Sequence, residues 1–196
     1  MPDLNDIDAS LTTVGKPGEG GCCYTSFEDV PTLPTSATES LAEIAGIESL
    51  GELSPNAFTE QSSKSKTPLK GWHNTTLQMG DGEEDKSYKV EFVEVNRPSV
   101  AKVKYGKGNV TTGADGSVSQ IDDKFGVDVT IPLIFDEVES NGYLRRTVVK
   151  KANVTGFDDV AHTRGELLVY GMTFTVLDPG DGSAAIVIYR AKPVGP

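Results

Sequence analysis

The stretch KFGVDVTIPLIFD, Lys124–Asp136, decides the fold. Phe125, Val127, Val129, Ile131, Leu133 and Phe135 occupy every second position, the period of a strand with one buried face. Gly126, Asp128, Thr130 and Pro132 take the other face, which the pattern leaves outside the core. Pro132 has no N–H for a ladder and predicts an edge or a bulge. Asn141-Gly142 follows, the pair that supplies the positive φ angles of a two-residue hairpin, and joins the strand to a partner over Tyr143–Lys151.

Outward from this hairpin the period of two recurs. Leu167–Leu177 and Ala184–Arg190 read as a further hairpin across Asp178-Pro179-Gly180-Asp181-Gly182. Upstream, Tyr88, Val90 and Phe92 oppose Lys89, Glu91 and Val93. Before the Gly80-Asp81-Gly82 turn, Thr75, Leu77 and Met79 share one face, with Asn74, Thr76 and Gln78 opposite. Val110–Ile121 reads as strand, turn and strand, and Cys22–Thr25 as a short strand. Two short helices are predicted. One starts near Thr38 or Ser40, carries Leu41, Ile44 and Ala45, and stops at Gly46; the other opens at Pro98 and ends at Gly106. Gly51–Lys70 is polar and broken by Pro55 and Ser62-Ser63, which predicts a long loop or a mobile hairpin.

The fold class is therefore mainly β: an antiparallel β-sandwich or barrel with one or two short flanking helices, a long inter-strand loop and extended terminal arms. Residues 1–21 form the N-terminal arm, 22–190 the β domain with its loop at 51–70, and 191–196 the C-terminal arm.

Charge narrows the function. The 196 residues carry 29 acids and 18 bases, a formal net charge of −11. Residues 1–62 hold eleven of the acids against a single base, Lys16. Clasping nucleic acid or docking on anionic lipid needs clustered Lys and Arg, so both are disfavoured. Cys22 and Cys23 are adjacent and staple nothing, and with only His73 and His162 they lack zinc-site spacing. The acidic start has no basic n-region, and no apolar run reaches the length of a membrane span, which predicts a reducing cytoplasm.

Catalytic constellations are missing. Neither histidine sits in a nucleophile–base motif, and Tyr105-Gly106-Lys107-Gly108 lacks the P-loop pattern. Asp178–Gly182 lacks the ligand spacing of an EF-hand and reads as a turn. Glu83-Glu84-Asp85 and Asp122-Asp123 read as solvated loop charges, and Arg145-Arg146 as one arginine on each face of a strand, at a solvated edge or a subunit contact. A non-enzyme without metal or cofactor is predicted. Arms that cannot bury themselves suggest self-assembly.

The order of the segments resembles the major tail tube proteins of long non-contractile-tailed bacteriophages. PTLPTSATESLAEIAGIESLGELSPNAF (Pro31–Phe58) is followed by LKGWHNTTLQ (Leu69–Gln78) and KSYKVEFVEVNRPSVAKVKYGKGNVT (Lys86–Thr111). GYLRRTVVKKANVTGF (Gly142–Phe157) and GELLVYGMTFTVLDPGDGSAAIVIY (Gly165–Tyr189) close the series. The resemblance implies a virion protein assembled in the host cytoplasm, whose hexameric rings stack into a tube with a continuous inner β-barrel. Six subunits giving four strands each would close a barrel on the order of 50 Å across. Implied partners are further copies of the chain, a tape measure protein, and tail terminator or tip proteins. Double-stranded DNA would pass along an acidic wall without specific binding and without a membrane. Candidates for the lumen are Asn74, Thr76, Gln78, Asp81, Glu83, Glu84, Asp128 and Thr130; candidates for the ring-stacking loop are Glu52, Pro55, Asn56, Phe58, Lys64 and Lys66. The alternative is a ligand- or carbohydrate-binding β-sandwich, or another tail-completion module; Trp72, the only tryptophan, is poor material for an aromatic platform.

Overall fold

In the computed structural model, which describes residues 13–18 and 21–192, Asn141-Gly142 turns the chain between β10 (Thr130–Glu139) and β11 (Leu144–Phe157). The loop is one residue longer than the expected two-residue turn: Glu139 N donates to Tyr143 O across Ser140–Gly142, and only Gly142, at φ +82°, takes the left-handed conformation. Pro132 sits where the β10–β11 register slips, between Ile131 and Leu133, so the predicted bulge forms. It is not at an edge, because β10 is paired on both sides. The strand is shorter than the alternation suggests. Residues 124–129 lie outside it, Phe125 is fully exposed, and Val127 is only partly covered. The side chains that reach the core are Ile131, Leu133 and Phe135.

The other edge of β10 receives β1 (Gly15–Pro17) and β2 (Cys23–Ser26), laid end to end. The last residues of the N-terminal arm are therefore a sheet strand; residues 1–12, 19–20 and 193–196, the remainder of both arms, lie outside the described residues. β11 is served in the same way by β12 (Tyr170–Val176) and β13 (Ile186–Ala191). Met172–Val176 lie opposite Ala152–Phe157, and Ile186–Ala191 lie opposite Leu144–Val149. The expected closing hairpin does not form. β12 and β13 run in one direction along β11, and residues 178–185 are an excursion between them. Leu177 N donates to Lys151 O, and Lys150 N to Ala185 O, both at 2.9 Å, so the ladder resumes almost at once.

The sheet continues from β12 to β7 (Glu84–Phe92) and then to β4 (Leu53–Lys64). At the opposite end β3 (Ile47–Ser49) pairs with β2. The result is a nine-stranded antiparallel sheet that folds over on itself. Phe58 of β4 stacks on Phe135 of β10 with ring centroids 4.2 Å apart, and Tyr88 of β7 lies 5.2 Å from the same ring. α1 (Pro98–Tyr105) closes one end with Val100 and Val103, and Gly106 stops it at φ +86°. The helix expected at 38–46 is a single 3₁₀ turn, Leu41–Glu43, whose Ser40 makes no side-chain cap. Its Leu41 and Ile44 cover Ile134 and Val148, so the second face of β10 and β11 is buried as well.

Two smaller hairpins complete the chain. β8 (Val110–Thr112) and β9 (Val118–Ile121) pair as predicted. β5 (Pro68–Lys70) and β6 (Thr76–Met79) form the distal part of a longer arm. Among the described residues no helix is long and apolar enough to cross a membrane.

Candidate functional site

The long polar loop expected at 51–70 is a β-hairpin arm. β4 and β7 pair as far as Lys64 and Glu84; Ser65 N then donates to Glu83 O at 2.9 Å and Gly80 N to Thr67 O at 2.8 Å, and β5–β6 carries the ladder to the tip. The chain reverses at Gly71–Thr75, with Asn74 at φ +60°. Gly82 lets the two strands close: a Cβ there would fall 1.4 Å from the Ser65 carbonyl oxygen. Apart from Gly71 and Gly80, every residue of 59–85 is exposed. Because both faces are wet, polar residues dominate and the outgoing side, residues 59–70, shows no strand period; only the returning side keeps an alternation, at 74–79. Leu69, Leu77, Met79 and Trp72, the last 98% exposed, are its apolar exceptions.

The arm leaves the body at a wide bulge. Leu53 pairs with Phe92 and Phe58 with Val90, so four residues of β4, Ser54 to Ala57, face a single residue of β7. The Glu91 carboxylate fills the gap, accepting from Ser54 Oγ at 2.6 Å and Asn56 Nδ2 at 3.2 Å. Ala57 pays with φ +49°, a left-handed conformation that a side chain disfavours.

Beside the arm lies a polar sheet face. Gln61, Ser87, Thr175, Asn153 and Thr130 are consecutive cross-strand partners over β4, β7, β12, β11 and β10, so their side chains share one face. Asn153 Nδ2 donates to Thr130 Oγ1 at 3.0 Å and also to Asp128; the hydroxyls of Thr155 and Thr175 meet at 2.9 Å. The neighbouring row holds Thr59, Lys89 and Thr173, with Lys89 paired to Asp158 at 2.7 Å. That hydrogen bond raises the lysine's pKa.

The lumen candidates thus fall on two elements. Asp128 and Thr130 belong to the polar face, whereas Asn74, Thr76, Gln78, Asp81, Glu83 and Glu84 belong to the arm. Glu84 is bonded to Lys64, which holds its carboxyl below the ordinary range. The stacking candidates divide too. Lys64 and Lys66 lie on the arm, Pro55 and Asn56 in its root bulge, and Glu52 just before it; Phe58 turns into the core. Sequence reasoning missed Asn153, Thr173, Thr175 and Ser87. Their signal is the hydroxyl or amide that alternates with buried Met172, Phe174 and Tyr88.

Arg146 is not on a solvated edge. It is buried and also donates to the carbonyls of Ser36 and Glu39, both at 2.8 Å, tying the 27–46 segment to the sheet. His73 and His162 are exposed, and among the described residues no group of three or more His, Cys, Asp or Glu is placed to hold a metal. The chain matches no family model and no curated protein sequence.

Proposed function

We propose that this chain is a structural subunit of a bacteriophage tail tube, assembling as stacked hexameric rings through which DNA passes at ejection. The observation that carries the reading is the arm, Thr59–Asp85. It buries almost nothing of itself, yet ends in a tryptophan and three other apolar side chains. An isolated two-stranded ribbon is marginal in water, and exposed apolar patches mark interaction surfaces. A neighbouring copy would supply both the missing cover and the pairing for the edge of β4.

The polar face supports the conduit half of the reading. Hydroxyl and amide side chains can hydrogen-bond a phosphate but bring no charge to hold it, and no lysine or arginine stands in the Gln61–Thr130 row. The chain acts without catalysis or a cofactor in this reading, and its other partners are the tape measure and the proteins that cap the tube in the virion.

Negative-stain microscopy of concentrated protein tests it: rings or tubes are expected. Excising Lys66–Met79, the distal arm, should leave a folded monomer that forms neither. Cutting at Pro55–Ser65 would be a poorer test, since it removes Phe58 and most of β4. One observation favours a ligand-binding module instead, the exposed Trp72. Persistent monomers with a glycan-array signal lost on Trp72→Ala would establish that alternative.

A further inference from the structure

The arm's tip has the opposite charge to the chain that bears it. Residues 65–80 contain Lys66 and Lys70 and no acid, in a protein of net charge −11. Among the described residues neither lysine has a carboxylate within ion-pair distance. The tip is therefore an apolar anchor, Trp72, accompanied by two unspent cations. It does not fold back on its own body, because the ladder from Lys64 to Lys70 holds residues 66–79 out in solvent.

A surface of matching character lies on the body. Two clefts of about 370 and 420 Å³ adjoin at the Glu28–Asp29 turn. The larger is walled by Val30, Pro31, Pro132 and Pro179, and Val30 is 86% exposed. Its size is that of a side-chain or small-ligand pocket. Across both clefts the acids are Glu28, Asp29, Asp128 and Asp181. Three lysines also line them, Lys107, Lys150 and Lys151, so the balance over both clefts is four acids to three bases; Lys107 is turned to Phe27 O and Lys150 to Ser183 Oγ, away from Glu28 and Asp29. Glu28 and Asp29 make no ion pair among the described residues.

We propose that Trp72 of one copy seats in the proline-walled cleft of a second copy, with Lys66 and Lys70 meeting Glu28 and Asp29. This rests on the self-assembling reading above and specifies the contact. The indole supplies the energy, as buried aromatic anchors do, and the rim charges set register and partner choice. Tip and cleft are different surfaces, so a one-way contact is heterologous and builds rings or filaments; a reciprocal exchange of tips would instead close a dimer, which the trap below distinguishes from a ladder.

A disulfide trap tests the geometry. In the Trp72→Cys, Val30→Cys double variant, oxidation should yield a ladder of linked oligomers on a denaturing gel, while either single variant stops at dimers. The native Cys22 and Cys23 are buried and do not compete. Charge tests the register. Lys66→Glu with Lys70→Glu should reduce assembly at least tenfold by sedimentation, and adding Glu28→Lys with Asp29→Lys in the same chain should restore it. All these side chains are exposed, so unchanged thermal melting verifies folding. If the parent chain forms tubes while the double cysteine variant gives no ladder and charge reversal is silent, the contact is wrong and the tube reading stands. If the parent chain stays monomeric at every concentration, both fall.

Discussion

Arg146 forks onto Asp136 across the β10–β11 pair, Nε to Oδ1 at 2.6 Å and Nη2 to Oδ2 at 2.8 Å. Its remaining nitrogen holds two carbonyls of the 27–46 segment, so one buried cation joins three stretches of chain. Arg146→Ala strands the Asp136 carboxylate and frees both carbonyls, and should cost about 3–4 kcal/mol in urea unfolding. Arg146→Lys keeps the charge but not the fork and should recover less than half of the loss. A loss below about 1 kcal/mol for the alanine variant would refute this role.

Acid should loosen the fold through Glu139. The Arg190 guanidinium hydrogen-bonds its carboxyl and holds it below the ordinary value of 4.5. A carboxyl depressed in the folded state takes up protons more readily when unfolded. Its stabilisation is therefore complete above the unfolded pKa and lost as pH falls through the folded one. Glu94 has the same sign, held down by the Glu52 amide and then by Arg97. Glu137 has the opposite sign, because burial raises its carboxyl, and its contribution grows as pH falls. Unfolding free energies measured between pH 6 and pH 3 should decline less steeply in Glu139→Gln and more steeply in Glu137→Gln. Parallel curves for all three proteins would contradict the assignment.

At the root of the arm, Ala57→Gly should raise stability. The left-handed conformation costs an L-residue roughly 1–2 kcal/mol, and glycine returns part of this as unfolded-chain entropy. A net gain of about 0.5–1 kcal/mol is expected, visible as a higher melting temperature. Destabilisation would mean that the alanine methyl packs more tightly against the core than its left-handed strain costs.

The two thiols should be silent in the native protein. Burial is the main cause that pushes Cys22 up to about 12, with Glu137, Glu52 and Asp136 adding to it, and burial raises Cys23 further from reactivity. Ellman's reagent at pH 8 should label neither thiol until denaturant is added, and then both at the rate of unfolding. Immediate reaction of one equivalent would show that Cys22 opens to solvent.

Where one strand face is dry, the fold was legible. Tyr88, Val90 and Phe92 are fully buried as their alternation demands, and Asn141-Gly142 makes its hairpin. The outgoing side of the arm, residues 59–70, was illegible because a strand wet on both faces has no period to read, whereas the alternation at 74–79 did mark its returning strand. The Asp178–Gly182 turn misled for another reason: turn chemistry says that the chain bends, not which strand it rejoins. Arg146 was hidden by one residue of register. A two-residue turn at Asn141-Gly142 would set Asp136 opposite Thr147; the three-residue loop that forms is centred on Asn141 and sets Asp136 opposite Arg146, a cross-strand pair of opposite charge. The covering 27–46 segment was not visible in that arithmetic, nor was the polar row, which exists only once five strands have found their order.

The row from Gln61 to Thr130 has a consequence for ionic strength. A wall that binds a polyanion through cations must exchange counterions, and its grip falls steeply as salt rises. A wall of hydroxyls and amides exchanges water instead. The row has no cation to exchange, and the nearest, Lys89, is already paired with Asp158, so a duplex sliding along the row would displace few ions and meet friction that changes little with salt.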